Sequence, residues 1–220
     1  MLRIVAMADT HGLHERLEVP EGDVLIHAGD LTRRGTLKEL AEANCFLASL
    51  PHRYKLVVAG NHDWCFQEDP QLARSLLTAA TYLEDESIVL GGVRFYGSPW
   101  QPWFHGWAFN LPRGRKLAHK WARIPEDTDV LVTHGPPLGF GDRLRDGSRV
   151  GCEELMRRVR VVRPRLHLFG HIHEDGGLWT EGDTTFANVT ADEGRRAVQV
   201  LSWPPRCPDP TEMEGSNFLG

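Results

Sequence analysis

Long apolar runs are missing from this sequence; none approaches the roughly 20 residues that a membrane-crossing helix requires. The opening MLRIVAMADTHG also lacks a basic segment followed by an apolar stretch and a cleavage site, so no secretory signal is expected. Excess positive charge is missing too. Lys and Arg number 25 against 30 Asp and Glu, a net charge of -5, which argues against a dedicated nucleic-acid surface. The four cysteines, Cys45, Cys65, Cys152 and Cys207, contain no C-x-x-C pair, and free thiols in a reducing compartment are expected. Together these absences predict a cytoplasmic location and no membrane partner. No repeat divides the chain, and 220 residues with 41% hydrophobic content suit one domain with a substantial core. That domain is expected over residues 1–203, with 204–220 (PPRCPDPTEMEGSNFLG) as a loosely attached tail rich in Pro and Gly.

What the sequence has instead is a succession of short apolar runs ended by polar residues. Leu2–Ala8 is closed by Asp9, Asp23–Ala28 by Gly29 and Asp30, and Tyr54–Ala59 by Gly60, Asn61 and His62. Asp129–Thr133 is closed by His134, and Leu166–Phe169 by Gly170 and His171. Runs this short and rich in Val, Ile and Leu read as buried strands. Helices are expected over Thr36–Ser49, Pro70–Ala80, Arg113–Trp121 and Gly151–Val161, and the alternation predicts an α/β sheet covered by helices. Ile88–Leu90, Val93–Tyr96, Gly177–Thr180, Thr185–Asn188 and Ala197–Ser202 have no helices between them. A second, more antiparallel sheet packed on the first accounts for these.

Every cluster of Asp, Asn and His falls just past the C-terminal end of an apolar run, where the loops of an open α/β sheet converge on one crevice. The clusters are Asp9-x-His11, Gly29-Asp30 followed by Gly35, Gly60-Asn61-His62-Asp63, His134 in THGPP, and Gly170-His171-Ile172-His173. Each is weak alone; a D-x-H is ordinarily a turn aspartate beside a surface histidine. All of them in order, each after a strand, point to metal chemistry. Two divalent cations about 3.5–4 Å apart grip both a nucleophilic hydroxide and phosphate oxygens. Holding two dications so close needs an anionic bridge, and Asp30 is the candidate. Imidazole together with carboxylate and amide oxygen suits transition ions such as Mn, Fe, Zn or Ni without naming one.

Beyond the clusters, DTHG, GDVLIHAGDLT, LPHRYKLVVAGNHD, YGSPWQPWFHGWAFNLPRG, VTHGPPLGFGD, VGCEEL and RPRLHLFGHIHE carry a resemblance. From Asp9 to Glu174 the chain resembles the calcineurin-like metallophosphoesterases, and within them the brain-type branch of metallophosphoesterase-domain-containing proteins. The resemblance implies two packed mixed β-sheets flanked by helices. It implies two divalent metals, manganese favoured, the first held by Asp9, His11 and His173, the second by Asn61, His134 and His171, with Asp30 bridging them. A hydroxide between the ions is the implied nucleophile. His62 is implied as a non-ligating group that gives a hydrogen bond or a proton to the leaving oxygen, with Asp63 orienting it, although the branch often has Glu at that position.

The implied activity is phosphodiester hydrolysis, cyclic nucleotides included. The protein phosphatases of the superfamily carry an Arg before the N-H cluster that helps grip a dianionic monoester; this chain has Ala59 and Gly60 there. Arg33, Arg34, Arg143 and Arg145 remain as candidate cations. A phosphomonoesterase or protein phosphatase, and a weakly catalytic nucleotide-binding scaffold, are the alternatives. Ser98–Asn110 carries Trp100, Trp103 and Trp107. Aromatics in such a loop ordinarily pack it onto the body; the sharper expectation is a wall for a nucleobase, with stacking at about 1–3 kcal/mol per base. His14, His52 and His119 are expected at the surface, and His27 and His167 in the core or behind the site. Oligomeric state is not legible in the sequence.

Overall fold

The computed structural model describes residues 2–203; the tail expected at 204–220, with Cys207, lies outside the described residues. In chain order the first strands are β1 (Leu2–Met7), β2 (Val24–Ala28), β3 (Tyr54–Val58) and β4 (Thr81–Tyr82). Then come β5 (Glu86–Leu90), β6 (Val93–Ser98), β7 (Gln101–Pro102), β8 (Asn110–Leu111) and β9 (Val130–Thr133). The last are β10 (Leu166–Phe169), β11 (Gly177–Glu181), β12 (Thr184–Asn188) and β13 (Gln199–Trp203). One five-stranded sheet has the order β13-β1-β2-β3-β4, and one six-stranded sheet the order β11-β12-β10-β9-β6-β5. A small pair, β7-β8, stands apart.

The central strands β2, β9 and β10 are buried along their whole length and mostly apolar because both of their faces are covered. Ile4 and Ala6 of β1 and Val24, Ile26 and Ala28 of β2 share one core with Val130 and Val132 of β9 and Leu166 and Leu168 of β10. The alternate residues Val5, Met7 and Leu25 pack with Leu40, Ala43 and Leu47 of helix α1 (Leu37–Ser49). On the far side, Leu131 and Phe169 pack with residues of α4 (Arg115–Trp121) and α5 (Glu153–Val162). The layers therefore run helix, sheet, sheet, helix. Between α1 and α4 lie α2 (Trp64–Glu68) and α3 (Pro70–Leu76). No helix of the described residues is long and apolar enough to cross a membrane.

The expected helices form, with shifted ends. Thr36 caps α1 through a reciprocal pair with Glu39, and Asp69 with Pro70 starts α3, which ends at Leu76 rather than Ala80. The short α2 has no counterpart in the sequence expectation, because a single turn carries no periodicity. The second sheet is assembled differently from expectation. β9 and β10 belong to it, pairing in parallel with each other and with β6 and β12. The run expected at Ala197–Ser202 leaves it and, as β13, pairs antiparallel with β1 at the edge of the first sheet. Apolar patterning marks a strand as buried but does not say which sheet buries it.

Candidate metal centre

The loops after β1, β2 and β3 of one sheet and after β9 and β10 of the other meet at a single edge of the sandwich. Backbone hydrogen bonds stitch them together. Asp9 N donates to Gly29 O at 2.9 Å, His11 N to Asp30 O at 3.0 Å, and Gly170 N to His134 O at 2.9 Å. Loops can approach this closely only where side chains are absent. A Cβ on Gly60 would collide with Asp30 and with the His134 ring, and one on Gly170 would stand 2.6 Å from Asp9 Oδ2.

The backbone is strained where the candidate ligands sit. Asp9, His11, Asp30 and His171 have φ values of 57°, 46°, 56° and 70°. Left-handed geometry costs a non-glycine residue about 1–2 kcal/mol, and Asp and His tolerate it better than most. The strands beneath carry that load: Ile4, Val5, Val24, Leu25 and Ile26 are fully buried, each contributing about 1.5–3 kcal/mol. Strain gathered at one place on so firm a base is a mark of function.

Three side-chain groups are close enough to hold an ion: Asp9, His11 and His173; His11, Asp30 and His62; and Asp30, His134 and His171. Donors sharing one ion at about 2.0–2.2 Å lie roughly 3–3.5 Å apart. Here His11 Nε2 is 3.5 Å from His173 Nε2, and His134 Nε2 is 2.9 Å from Asn61 Oδ1. Asp9 Oδ1 is 3.7 Å from His173 Nε2. Asp30 Oδ2 is 3.7 Å from His11 Nε2 and 3.5 Å from His134 Nε2, so one oxygen borders both groups. Two of the ring nitrogens away from the centre are engaged: His134 Nδ1 donates to Ala28 O at 2.9 Å, and His173 Nδ1 lies 3.1 Å from Asp192 Oδ1. A partner on the far nitrogen fixes the tautomer that presents a lone pair inward.

Electrostatics fit a cation. Burial pushes the Asp30 carboxyl up, but the charges of His134 and His11 outweigh it and hold the group far below the ordinary carboxylate range. Burial pushes His134 down, yet the Asp30 charge raises it to about 9. His173 likewise reaches about 9 against burial, through its hydrogen bond to Asp9 and that carboxylate's charge. Burial, with the nearby His134 charge, drops His171 to about 4. Buried carboxylates thus demand positive charge here, which protons supply when no metal does. Metal uptake must then displace protons.

The calcineurin-like phosphoesterase family model matches residues 2–175 of the chain. This chain belongs to that family. It is 46% identical over 213 residues to metallophosphoesterase domain-containing protein 1 of Homo sapiens, covering 86% of this chain and 65% of that protein. The chain therefore spans a little under two thirds of that relative's length. A UPF0046 protein of Caenorhabditis elegans is 41% identical over 213 residues, covering 90% of this chain and 73% of the relative. Among solved structures, TT1561 of Thermus thermophilus superposes with a TM-score of 0.63 at 16% identity, covering 90% of this chain and 97% of that one. At that identity the likeness concerns the fold.

Two of the expected site residues stand elsewhere in the structure. Asp63 does not reach the His62 ring. Its buried carboxylate accepts from Leu31 N at 3.2 Å, Thr32 N at 2.9 Å, Thr32 Oγ1 at 2.7 Å and Gly60 N at 2.8 Å, tying the β2 and β3 loops together. His62 Nδ1 donates instead to Arg33 O at 2.7 Å. Trp100 is turned into the body, where Nε1 donates to Asp85 at 3.1 Å and Lys120 Nζ lies 3.8 Å above the ring. Trp107 stacks on His62 with centroids 4.3 Å apart, and Trp103 is 63% exposed.

Other groups escaped the sequence reading. Asp192 follows β12 as the other clusters follow their strands, so the same positional rule could have found it. Phe104 stands edge-on to His171 at 6.4 Å. His14 and His52, expected at the surface, are buried, while His119 is exposed as expected. His14 Nδ1 and His27 Nε2 lie 3.2 and 3.0 Å from Thr10 Oγ1, behind the Asp9 loop. Cys65 is buried, and its thiol is pushed up by that burial to about 12 and so is inert.

Proposed function

We propose that this chain hydrolyses phosphate esters, phosphodiesters above monoesters, at a pair of divalent cations, with cyclic nucleotides among its substrates. The observation that carries the reading is Asp30 Oδ2, a single buried carboxylate oxygen bordering both ligand groups at 3.7 and 3.5 Å. Asp9, His11 and His173 would hold one ion, Asn61, His134 and His171 the other, with Asp30 between. When bound, such ions supply Lewis-acid stabilisation of the phosphoryl oxygens and make hydroxide available near neutral pH. Mixed imidazole and carboxylate donors suit a transition ion, and manganese, favoured by the family resemblance, is the first to test.

The chain's own groups do the rest. Because His62 Nδ1–H is committed to Arg33 O, the proton given to the departing alkoxide would be the Nε2–H of the imidazolium form, leaving a neutral ring. Asp63 acts on the backbone, keeping Gly60 beside Leu31 and Thr32 so that Asn61 and Asp30 stay in register. Asp192 orients His173. Ala59 and Gly60 offer no cation to a dianionic monoester, which favours the singly charged diester. Trp103 and Phe104, both exposed, offer flat apolar surface to a base, with Phe104 near His171; Trp100 is withdrawn from that role.

Metal analysis with a paired rate measurement tests this. Close to two ions per chain are expected, with bis-p-nitrophenyl phosphate hydrolysed faster than p-nitrophenyl phosphate in added manganese. Faster monoester turnover would point to a phosphomonoesterase or protein phosphatase. A chain that binds no ion and turns over neither ester would be a scaffold.

A further inference from the structure

We propose that Trp107 is a positioning residue for His62, holding that ring in the attitude from which Nε2 meets the leaving oxygen. The inference rests on the general-acid role proposed for His62. A histidine ring turns easily about its outer torsion, which is broad and roughly two-fold. The single hydrogen bond from Nδ1 to Arg33 O at 2.7 Å therefore anchors one atom but does not set the plane. His62 is only half-buried, so core packing does not set it either. Two neighbouring rings do. The His11 ring meets it edge-on, with centroids 4.6 Å apart and planes at 79°. The Trp107 indole covers a face, at 4.3 Å and 30°. His11 belongs to the candidate metal cage, which leaves Trp107 as the support that comes from outside it.

The loop is built to deliver that indole. Left-handed residues His105 and Gly106, with φ of 47° and 68°, turn the chain back from its exposed tip. Immediately after Trp107, Ala108 N donates to Asn61 O at 3.2 Å, bonding the loop to the residue that precedes His62. Phe109 N donates to Gln67 Oε1 at 2.6 Å, and Ala108 and Phe109 are buried at 0% and 1% exposure. The loop thus has two parts. Its tip, Trp103 and Phe104, is 63% and 51% exposed. Its base is locked to the segment carrying His62. With His62 against one face of Trp107, that face is closed to a substrate base.

The test uses the full metal-loaded chain and a series of phosphodiesters whose leaving groups run from p-nitrophenol to aliphatic alcohols. A nitrophenolate departs without a proton, and an alkoxide does not. His62→Ala is expected to lose about 10²–10⁴-fold in kcat on the alkyl esters and little on the nitrophenyl ester. Trp107→Ala should follow the same trend at a smaller scale, roughly tenfold or more on the alkyl esters, with KM and metal content unchanged. Trp107→Phe, which keeps a flat face, should recover most of the rate, and Trp107→Leu should not. Adding Trp107→Ala to His62→Ala should cost nothing further. In NMR spectra the His62 ring proton should lose its upfield ring-current shift in Trp107→Ala, a readout independent of turnover. An equal loss across leaving groups, a rise in KM alone, or full additivity with His62→Ala overturns the inference. A flat leaving-group response of His62→Ala overturns the general-acid reading itself, which is distinct from a flat Trp107 response beside a steep His62 one. Should Trp107→Ala fail to fold, the Phe and Leu variants carry the same comparison.

Discussion

The candidate ligand cage and the aromatic loop lie side by side and are held in opposite ways. Asp9, Asp30 and His134 are at most 2% exposed, fastened by backbone hydrogen bonds and by glycines that leave no slack. Trp103 and Phe104 are more than half exposed, and the bonds that tie their loop to the His62 segment, from Ala108 N to Asn61 O and from Phe109 N to Gln67 Oε1, lie at its base. Donor atoms that must share an ion have a tolerance of tenths of an ångström, which strands and backbone contacts can supply. The surface proposed to meet the substrate base has no such demand and can remain open to water.

The comparison breaks most severely at Gly60→Ala. The added methyl would strike Asp30 and the neighbouring His134 ring, both in one ligand group. Overpacking of about 1–3 kcal/mol is expected, together with loss of bound metal and of metal-dependent turnover; retention of both would show the cage to be softer than described. Asp192→Ala leaves the cage standing but frees the His173 ring. It should weaken metal affinity by about 10–100-fold, read by titration with competing chelator, whereas no change would make Asp192 a bystander. At the rim, Trp103→Ala and Phe104→Ala should raise KM for a nucleotide diester in proportion to a stacking loss of about 1–3 kcal/mol per base. Dimethyl phosphate should be unaffected, and Trp100→Phe should change neither. Equal KM values throughout would leave the rim without a role in binding.

The smallest expected effect lies beneath the cage. Thr133 Oγ1 donates to Gly135 O at 2.8 Å and receives His167 Nε2–H at 2.9 Å, just below His134. Burial lowers His167 from 6.5 to about 3. The unfolded chain therefore binds a proton there that the folded chain refuses, so this contribution to stability is complete above pH 6.5 and is lost as pH falls towards 3. His134 and His173, raised to about 9, act with the opposite sign in the metal-free chain. The difference in melting temperature between the parent and His167→Gln isolates the buried group. It should shrink as pH is lowered from 7 to 5, and a difference independent of pH would mean that His167 is not held neutral.

The sequence made the convergence legible because strand ends share a direction: Asp9, Asp30, Asn61, His134 and His171 each follow a β-strand whose C-terminal end faces the same crevice. The Asp63 expectation failed for a reason that sequence cannot carry. Adjacent residues along a tight loop point apart, and Asp63 turned under the loop toward Thr32 while His62 turned over it toward Arg33. Trp100 was misjudged likewise. Its proximity in sequence to Trp103 says nothing about Asp85, whose carboxylate draws the indole N–H inward at 3.1 Å.

By itself, then, the sequence determined the donor chemistry, the order of the strands and the burial of their residues, since these follow from residue type and periodicity. Only the tertiary structure decided which sheet each strand joined, that Asp30 borders both ligand groups, that Asp192 stands behind His173 and that Trp107 lies on His62. Those are relations between residues distant in the chain, and they exist only once two sheets have packed and brought their loop ends to one edge.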